Sequence, residues 1–329
     1  MNKWKKRLCL KRNTALYLRG NSTNIFQMHN LETNFAKIYH IVKSSLSTKL
    51  NELDNLQFYP RTPKMNDCSI IALSVCAEAL GIDSENYLWS KLKKDYAAAF
   101  PNLTHRSNFN KRRRRLQFYI HQVTEQIAAL LNGGEDVFLV DSIPVPVCKI
   151  AREKRCKFGK IFFETAPDKG YSAVSKSYYY GYKLHLVTSV KGVFHSMDLT
   201  KASVHDVYYL TEIRHGKMKN ATLIGDKGYL SKQIQLDLFH HCNVHLQTPC
   251  RSNQKEQHTW HPVFRKNRKR IETLFSQLCD QMMLKRNYAK TLAGLKTRLI
   301  SKIAAVTLLQ YINYQNNKTI NHLKHALAD

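Results

Sequence analysis

Apolar positions follow two different periods along the chain, and the change of period divides it. From Leu31 onward, apolar residues such as Phe35 and Ile38 recur at helical spacing. Further helices are predicted at 68–81 with Asp67 as the cap, at 84–99, and from about Ser107 as one long helix. Gly133–Gly134 then predicts a loop. The chain up to this point is therefore predicted to be helical.

Beyond the glycine pair, short apolar runs of strand length replace the helical period. The predicted strands are 136–140, 178–189, 193–200, ATLIG before Asp226, and NVHLQTP from Asn243. Helices are predicted at about 203–214, at about 229–241, and from about residue 262. Three successive strands followed by alternating helices and strands are typical of an α/β domain with a mixed sheet.

The charge balance adds a partner class to this picture. Lys and Arg number 52 against 24 Asp and Glu, a formal net charge of +28. So basic a chain usually meets a polyanion, most often nucleic acid, with a ribosome or an anionic membrane surface as alternatives. The sequence has no apolar run long enough for a membrane span and no secretory signal at its basic start. Eight cysteines without a CxxC pair favour a reducing cytosol.

One group of metal-binding residue types invites a zinc interpretation. The group consists of His240, His241, Cys242, His245 and Cys250. Its spacing matches none of the usual zinc fingers. A helix end followed by a strand explains the same pattern, and this interpretation is preferred.

Two aspartates follow predicted strands. Asp141 comes directly after the run 136–140, and Asp226 ends ATLIGD. Ligands of open α/β sheets gather at the carboxyl ends of strands, so both carboxylates are predicted to share one edge. Such like-charged groups repel unless a cation such as Mg²⁺ or Mn²⁺ lies between them. An Asp after a strand also commonly caps a helix or begins a turn, so neither residue alone indicates a site.

A third carboxylate, Glu272, lies on the helix predicted from about residue 262. The apolar stripe of this helix comprises Ile271, Leu274, Phe275, Leu278 and Met282. Glu272 borders that stripe and can therefore face the sheet, with Arg268 four residues earlier on the same face. The surrounding basic residues are Arg265, Lys266, Lys269 and Arg270. DNA contacts on this helix are predicted at Arg265, Arg268, Lys269 and Arg270. Taken alone, Glu272 would be an ordinary acid on a helix surface.

A second basic run starts the helix predicted from Ser107. It contains Arg112, Arg113, Arg114 and Arg115. Given the net charge of the chain, these side chains are predicted to contact DNA phosphates. The alternative is a solvated helix face.

Five blocks of sequence carry a family resemblance when taken together. They are VDSIPVPVC around Asp141, YGYKLH at Tyr180–His185, TKASVHD at Thr200–Asp206, IGDKGYLS around Asp226 and RKRIETLFSQL around Glu272. With these blocks the chain resembles the DDE transposases of bacterial insertion sequences, with wording closest to the insertion sequence 982 family. The resemblance covers roughly residues 28–315.

The resemblance implies an α/β fold, a ribonuclease H-like mixed five-stranded sheet flanked by helices and preceded by an all-helical N-terminal DNA-binding domain. The expected organisation is a basic tail at 1–27, a helical DNA-binding domain at 28–132, a DDE catalytic domain at 135–315 and a C-terminal tail at 316–329. The natural start is expected at Met28, with the basic tail upstream of it.

The resemblance also implies the chemistry. Asp141, Asp226 and Glu272 would be the catalytic and metal-binding residues, with two Mg²⁺ or Mn²⁺ ions per active site and Asp141 bridging them. The reaction would be DNA cleavage at the ends of the element and strand transfer into target DNA. The expected partners are terminal inverted repeats and target DNA, handled by a homodimer in a synaptic complex in the bacterial cytoplasm, associated with the nucleoid and not with a membrane.

Further DNA contacts are expected near the acids. Lys183, Lys227 and Tyr229 are predicted to hold a DNA strand. The family's arginine four residues before the glutamate matches Arg268, whereas Cys279 stands where many relatives carry a lysine. The possible stand-ins for that lysine are Lys285 and Arg286.

Two alternatives stay open at this stage. A ribonuclease H-like nuclease would cut without joining, and metal-dependent strand transfer would distinguish it. A non-enzymatic DNA-binding regulator would bind without a divalent metal and would tolerate replacement of all three acids.

Overall fold

The computed structural model describes residues 30–159, 163–216, 218–250 and 259–327. The predicted basic tail and the start at Met28 lie outside the described residues. The helices are α1 (Leu31–Leu46), α2 (Asp67–Ala79), α3 (Glu85–Asp95), α4 (Arg106–Arg115), α5 (Gln117–Asn132), α6 (Tyr209–His215), α7 (Lys232–Cys242), α8 (Pro262–Asp280) and α9 (Leu292–Gln315). The strands are β1 (Val137–Lys149), β2 (Asp168–Ser172), β3 (Ser177–Ser189), β4 (Phe194–Lys201), β5 (Ala221–Ile224) and β6 (Val244–Gln247).

Side-chain caps explain where the first helices begin. Asn30, Asn66 and Ser84 each accept a hydrogen bond from the backbone N–H three residues later, at the starts of α1, α2 and α3. The prediction that Asp67 caps α2 is therefore wrong by one residue. Asp67 is fully buried instead and accepts hydrogen bonds from Leu56 N and from the Tyr59 hydroxyl.

The long helix predicted from Ser107 is interrupted. Leu116 has φ −87° and ψ 2°, outside the helical region, and separates α4 from α5. Its side chain is fully buried. On either side of this break, α4 packs mainly on α2 and α5 packs mainly on α9.

The sheet is mixed, as predicted. β3 pairs antiparallel with β1 along one edge, and its other edge carries β2 and then β4 in succession. β1, β5 and β6 pair in parallel. The strand order is thus β4–β3–β1–β5–β6, with the short β2 added beside the start of β3. The sequence pattern did not reveal β2, because DKGYS carries only one apolar residue.

β1 is much longer than the predicted strand at 136–140. Its parallel pairing with β5 ends at Leu139, whereas its antiparallel pairing with β3 continues to Lys149. Past Leu139 one edge of β1 is therefore unpaired, so Pro144 and Pro146 are tolerated although neither can donate to a ladder. Asp141 consequently lies inside β1, and the prediction that it terminates the strand is wrong.

Two apolar cores lie on opposite faces of the sheet. Leu139 and Leu186 face a core shared with α8, α9 and the N-terminal helices, whereas Val140 and Val187 face a smaller core under α6 and α7. This alternation along each strand is the pleat of a two-sided sheet. The observed α/β sheet flanked by helices, with a helical region before it, confirms the coarse fold prediction.

α9, which the sequence pattern did not identify, connects the two halves of the chain. It is buried along most of its 24 residues, packs on α2 and α5, and lies against β4. Leu323 and Ala326, in the predicted C-terminal tail, are also buried beside α9. The division into domains at 28–132 and 135–315 stays a prediction, and one continuous apolar core crosses that boundary. Within the described residues, none of the helices combines the length and apolarity that crossing a membrane requires.

Candidate active site

The parallel strands bring the two predicted aspartates to one edge of the sheet. Leu139 of β1 and Ile224 of β5 are the last paired residues, and Asp141 and Asp226 each follow two positions later. Asp226 Oδ1 accepts a hydrogen bond of 2.7 Å from Gly228 N and so caps a short turn at Lys227–Tyr229. Asp141 Oδ1 accepts a bond of 2.8 Å from Ser142 N.

The position of Asp141 makes its negative charge costly. Burial is the main cause that raises the pKa of this carboxyl to about 7. The charges of Asp226 and Asp206 act in the same direction, while the Ser142 N–H and Arg268 oppose the shift. A cation beside the carboxylate would favour its charged form.

Glu272 faces the same edge from helix α8. His261 caps this helix and Pro262 occupies its first turn, a position where the missing N–H costs nothing. Ile271 and Leu274 anchor the apolar side of α8, which leaves the Glu272 side chain 58% exposed. The Arg268 guanidinium lies 3.7 Å from Asp141 Oδ2 and 3.7 Å from Glu272 Oε1, so it stands between the two carboxylates.

The basic side of α8 borders a cleft of about 410 Å³. Its lining residues are Lys227, Pro249, Cys250, Trp260, Arg265, Arg268, Lys269 and Glu272. Arg265, Arg268, Lys269 and Glu272 recur at helical spacing and therefore share one face. Arg270 does not belong to this face, because its side chain packs on Gly192 and its Nε donates to Lys191 O at 3.4 Å. The prediction of a DNA contact at Arg270 is thus not supported by its placement.

Two of the residues predicted to hold a DNA strand have their side chains directed into the protein. Lys183 Nζ lies 2.8 Å from Asp206 Oδ1, and its side chain is 16% exposed. Tyr229 is fully buried beneath the site. The burial of Tyr229 and the pairing of Lys183 with Asp206 therefore do not support the prediction that these two residues hold a DNA strand. Lys227, in contrast, is exposed beside the cleft.

The arginine run of α4 divides into two pairs. Arg112 and Arg113 are buried, and their guanidinium groups lie 2.5 Å from Asp67 Oδ1 and 2.6 Å from Glu85 Oε1. Both guanidinium groups are engaged in ion pairs inside the protein, so their placement does not support the prediction that they contact phosphates. Arg114 and Arg115 are exposed, and for them the prediction stands untested.

This division predicts opposite effects of two matched substitutions. Arg112→Met strands the fully buried Asp67 carboxylate and is expected to lower the free energy of unfolding by about 3 kcal/mol. Arg115→Met is expected to leave it within about 0.5 kcal/mol of wild type. If Arg115 contacts a phosphate, its loss should also flatten the salt dependence of DNA binding by about one unit of slope. Chemical denaturation measures the unfolding free energies, and a salt titration measures the salt dependence of DNA binding. Equal stability of the two variants would contradict the division of the four arginines into two pairs.

Other features of the site were not anticipated as such. Asp206 lies beside the aspartates and accepts a hydrogen bond of 3.1 Å from the Ser142 hydroxyl.

Within the described ranges, no three His, Cys, Asp or Glu side chains lie close enough to hold a metal ion as they stand. The group at His240–Cys250 that invited a zinc interpretation coincides with the end of α7 and the strand β6, which confirms the preferred explanation. Arg286, one possible stand-in for the missing lysine, pairs with Asp83 at 3.2 Å.

The fold and the site together define a class: an α/β protein with two aspartates just beyond the last paired residues of adjacent parallel strands, and a basic helix beside them. Residues 132–308 match the family model described as the transposase DDE domain. This match spans more than half of the chain, and the chain belongs to the DDE-domain transposase family. No curated protein and no solved structure matches it.

Proposed function

We propose that the chain is a transposase that cuts DNA at the ends of its element and joins them to target DNA, with Asp141, Asp226 and Glu272 as the catalytic carboxylates. The observation that carries this proposal is the placement of Asp141 and Asp226 on adjacent parallel strands with Glu272 opposite them, across Arg268. The strand order β4–β3–β1–β5–β6, with acids on the first and fourth of these strands in chain order, supports a ribonuclease H-like fold.

The donor set suits Mg²⁺ or Mn²⁺, which prefer carboxylate oxygens. A buried Asp141 carboxyl with a raised pKa, flanked by further acids, is a position where a cation lowers the free energy of the charged form. Asp141, Asp226 and Glu272 would hold the ions. Two bound ions would supply activation of a water or a 3′-hydroxyl and stabilisation of the leaving oxygen.

The protein's own groups would position the DNA and the third acid. The exposed cations Arg265 and Lys269 line the cleft beside Glu272, where they can hold phosphates. As long as no metal ion is bound, the Arg268 guanidinium offsets the repulsion between the carboxylates of Asp141 and Glu272. Because its contacts are long, at 3.7 Å, and Glu272 is largely exposed, rotation of Glu272 toward the aspartates costs little.

The finer assignments rest on the sequence blocks and on family logic. We further propose membership in the insertion sequence 982 family, terminal inverted repeats as the DNA sites, a homodimer in the synaptic complex, and a place in the bacterial cytoplasm at the nucleoid. The net charge of +28 supports lasting contact with DNA.

The test is a reaction of the full chain with labelled duplex carrying the element's own ends and an unlabelled target. Cleaved ends and joined products are expected with Mn²⁺ or Mg²⁺ and neither with EDTA. Cleavage without joining would favour a nuclease instead. Binding without cleavage under any metal would favour a regulator and would overturn the proposal.

A further inference from the structure

Two of the sequence blocks find no use in the three-acid proposal, and the structure brings them together. Lys183, from YGYKLH, pairs across the β3–β4 ladder with Thr200, from TKASVHD. The His185 ring lies 2.8 Å from the Thr200 hydroxyl, and Lys183 Nζ lies 2.8 Å from Asp206 Oδ1. These contacts tie the segment after β4 to β3 and hold Asp206 at the carboxylate edge.

The Asp206 carboxylate is engaged mainly through one of its oxygens. Oδ1 accepts from Lys183 Nζ and from the hydroxyl of Ser142, the neighbour of Asp141 in β1. Oδ2 lies on the side of Gly228. The Asp206 side chain is 26% exposed, so it is neither sealed in the core nor free in solvent.

Gly228 leaves open a space that two carboxylates border. A Cβ at this position would lie 2.9 Å from Asp226 Oδ1 and 3.4 Å from Asp206 Oδ2. Any side chain at 228 would therefore enter the region between the two oxygens. Because two carboxylates repel when nothing separates them, an open space between them has the chemistry of a cation site.

A buried hydroxyl with no partner gives an independent indication of a ligand. Tyr229 is fully buried, its ring lies against Gly225, and its hydroxyl has no hydrogen-bond partner among the described residues. The charges of Asp141, Asp206 and Asp226 all act on this hydroxyl and, after burial, raise its pKa. An orphaned polar group under an acidic cluster points to a bound species that the cluster holds.

We propose that Asp206 is a fourth cation-binding carboxylate of this site, and that Asp206 and Asp226 hold one divalent ion over Gly228. The inference rests on the proposed function and extends it by one ligand. Lys183 then acts as a positioning residue, because it holds Oδ1 of Asp206 and leaves Oδ2 toward Asp226. Each of the two sequence blocks supplies one partner of the Lys183–Asp206 ion pair, which gives both blocks a role beside the three acids.

The test measures Mn²⁺ binding to the full chain without DNA, by electron paramagnetic resonance of the free ion. Asp206→Asn is expected to weaken Mn²⁺ binding by about tenfold or more. The matched control is Asp237→Asn. Asp237 lies on α7 and pairs with Arg214 of α6 at 3.0 Å, so its replacement should leave Mn²⁺ binding unchanged. Melting temperatures in EDTA separate lost binding from lost folding. A purely structural Asp206 predicts a lower melting temperature with Mn²⁺ affinity within about twofold of wild type, and that result would overturn the inference.

A second variant covers the case in which Asp206→Asn does not fold. Gly228→Ala keeps every charge and adds a methyl group between the two oxygens, so it should weaken Mn²⁺ binding in the same direction. Wild-type affinity in Gly228→Ala would then refute the site over Gly228.

Asp226→Asn in the same titration separates this inference from the proposed function. If wild type binds Mn²⁺ and Asp226→Asn does not, while Asp206→Asn and Gly228→Ala bind normally, only the fourth ligand is wrong. If Asp226→Asn binds Mn²⁺ and cleaves DNA as wild type does, the proposed function itself fails.

Discussion

End cleavage is expected to fall by at least about 1,000-fold when Asp141 is replaced by Asn, because the several kcal/mol that a correctly held cation contributes to the transition state is lost. Asn keeps the size of the side chain and can still accept the hydrogen bond from Ser142 N. It removes the charge of the partly buried Asp141 carboxylate, which lies 3.7 Å from the Arg268 guanidinium. Since Asp141 lies behind the basic face of α8, affinity for the same DNA should change by no more than about twofold.

The measurement is single-turnover cleavage of labelled ends in Mn²⁺, with binding followed by fluorescence anisotropy. Asp136→Asn is the matched control, because Asp136 is exposed just before the other end of the same strand. It should cleave as wild type does. Cleavage by Asp141→Asn at more than about a tenth of the wild-type rate would refute the role of Asp141 as a ligand.

The largest effect on stability is expected at Glu78, where Glu78→Gln should lower the free energy of unfolding by about 5 kcal/mol. Glu78 on α2 is 2% exposed and binds two cations of α9. Arg298 Nε lies 3.3 Å from its Oε1, and Lys302 Nζ donates to its Oε2 and to Met282 O. Without the carboxylate charge, two buried cations would face each other without compensation.

The loss of unfolding free energy in Glu78→Gln should decrease as the pH rises above neutral. Burial already lowers the pKa of Lys302 below its ordinary value of 10.5. Loss of the Glu78 charge removes the main influence that opposes this shift, so the folded variant would release the Lys302 proton at a lower pH than the unfolded chain does. The unfolded state then binds more protons, and stability rises with pH. The loss in Glu78→Gln should therefore be larger at neutral pH than in alkaline solution and shrink as the pH approaches 10.5.

Guanidinium denaturation at several pH values checks both statements. Glu52→Gln, in an exposed loop, is the control and should stay within about 0.5 kcal/mol of wild type. A loss of less than about 1 kcal/mol in Glu78→Gln would show that the contact between α2 and α9 does not depend on this ion cluster.

Local patterns were sufficient for most elements of the fold. The apolar spacing in α1 and α8 predicted both helices, because one buried stripe repeats every three or four residues whatever the rest of the chain does. The runs that became β3 and β4 were predicted almost to the residue. α9 escaped prediction because a helix buried on nearly all sides lacks an amphipathic stripe.

Charged residues were the least predictable from sequence. Four consecutive arginines on α4 look alike in the sequence, but Asp67 and Glu85 bury two of them. Those partners precede the arginines by 45 and 28 residues, so only the packing of α2 and α3 on α4 reveals the pairs. Lys183 and Tyr229 differ from prediction for the same reason, since Asp206 and the core under β5 decide where they point.

The sequence by itself determined the class of the protein, the order of its elements and the two strands that carry aspartates, because hydrophobic periodicity and short motifs are local properties. The tertiary structure alone decided which of its many charges pair inside the protein, and that Asp206 joins the edge where Asp141 and Asp226 lie. Asp206 and Ser142 are 64 residues apart in sequence and hydrogen-bonded in the fold. Pairings of that kind depend on how sheet and helices pack, and no local pattern records them.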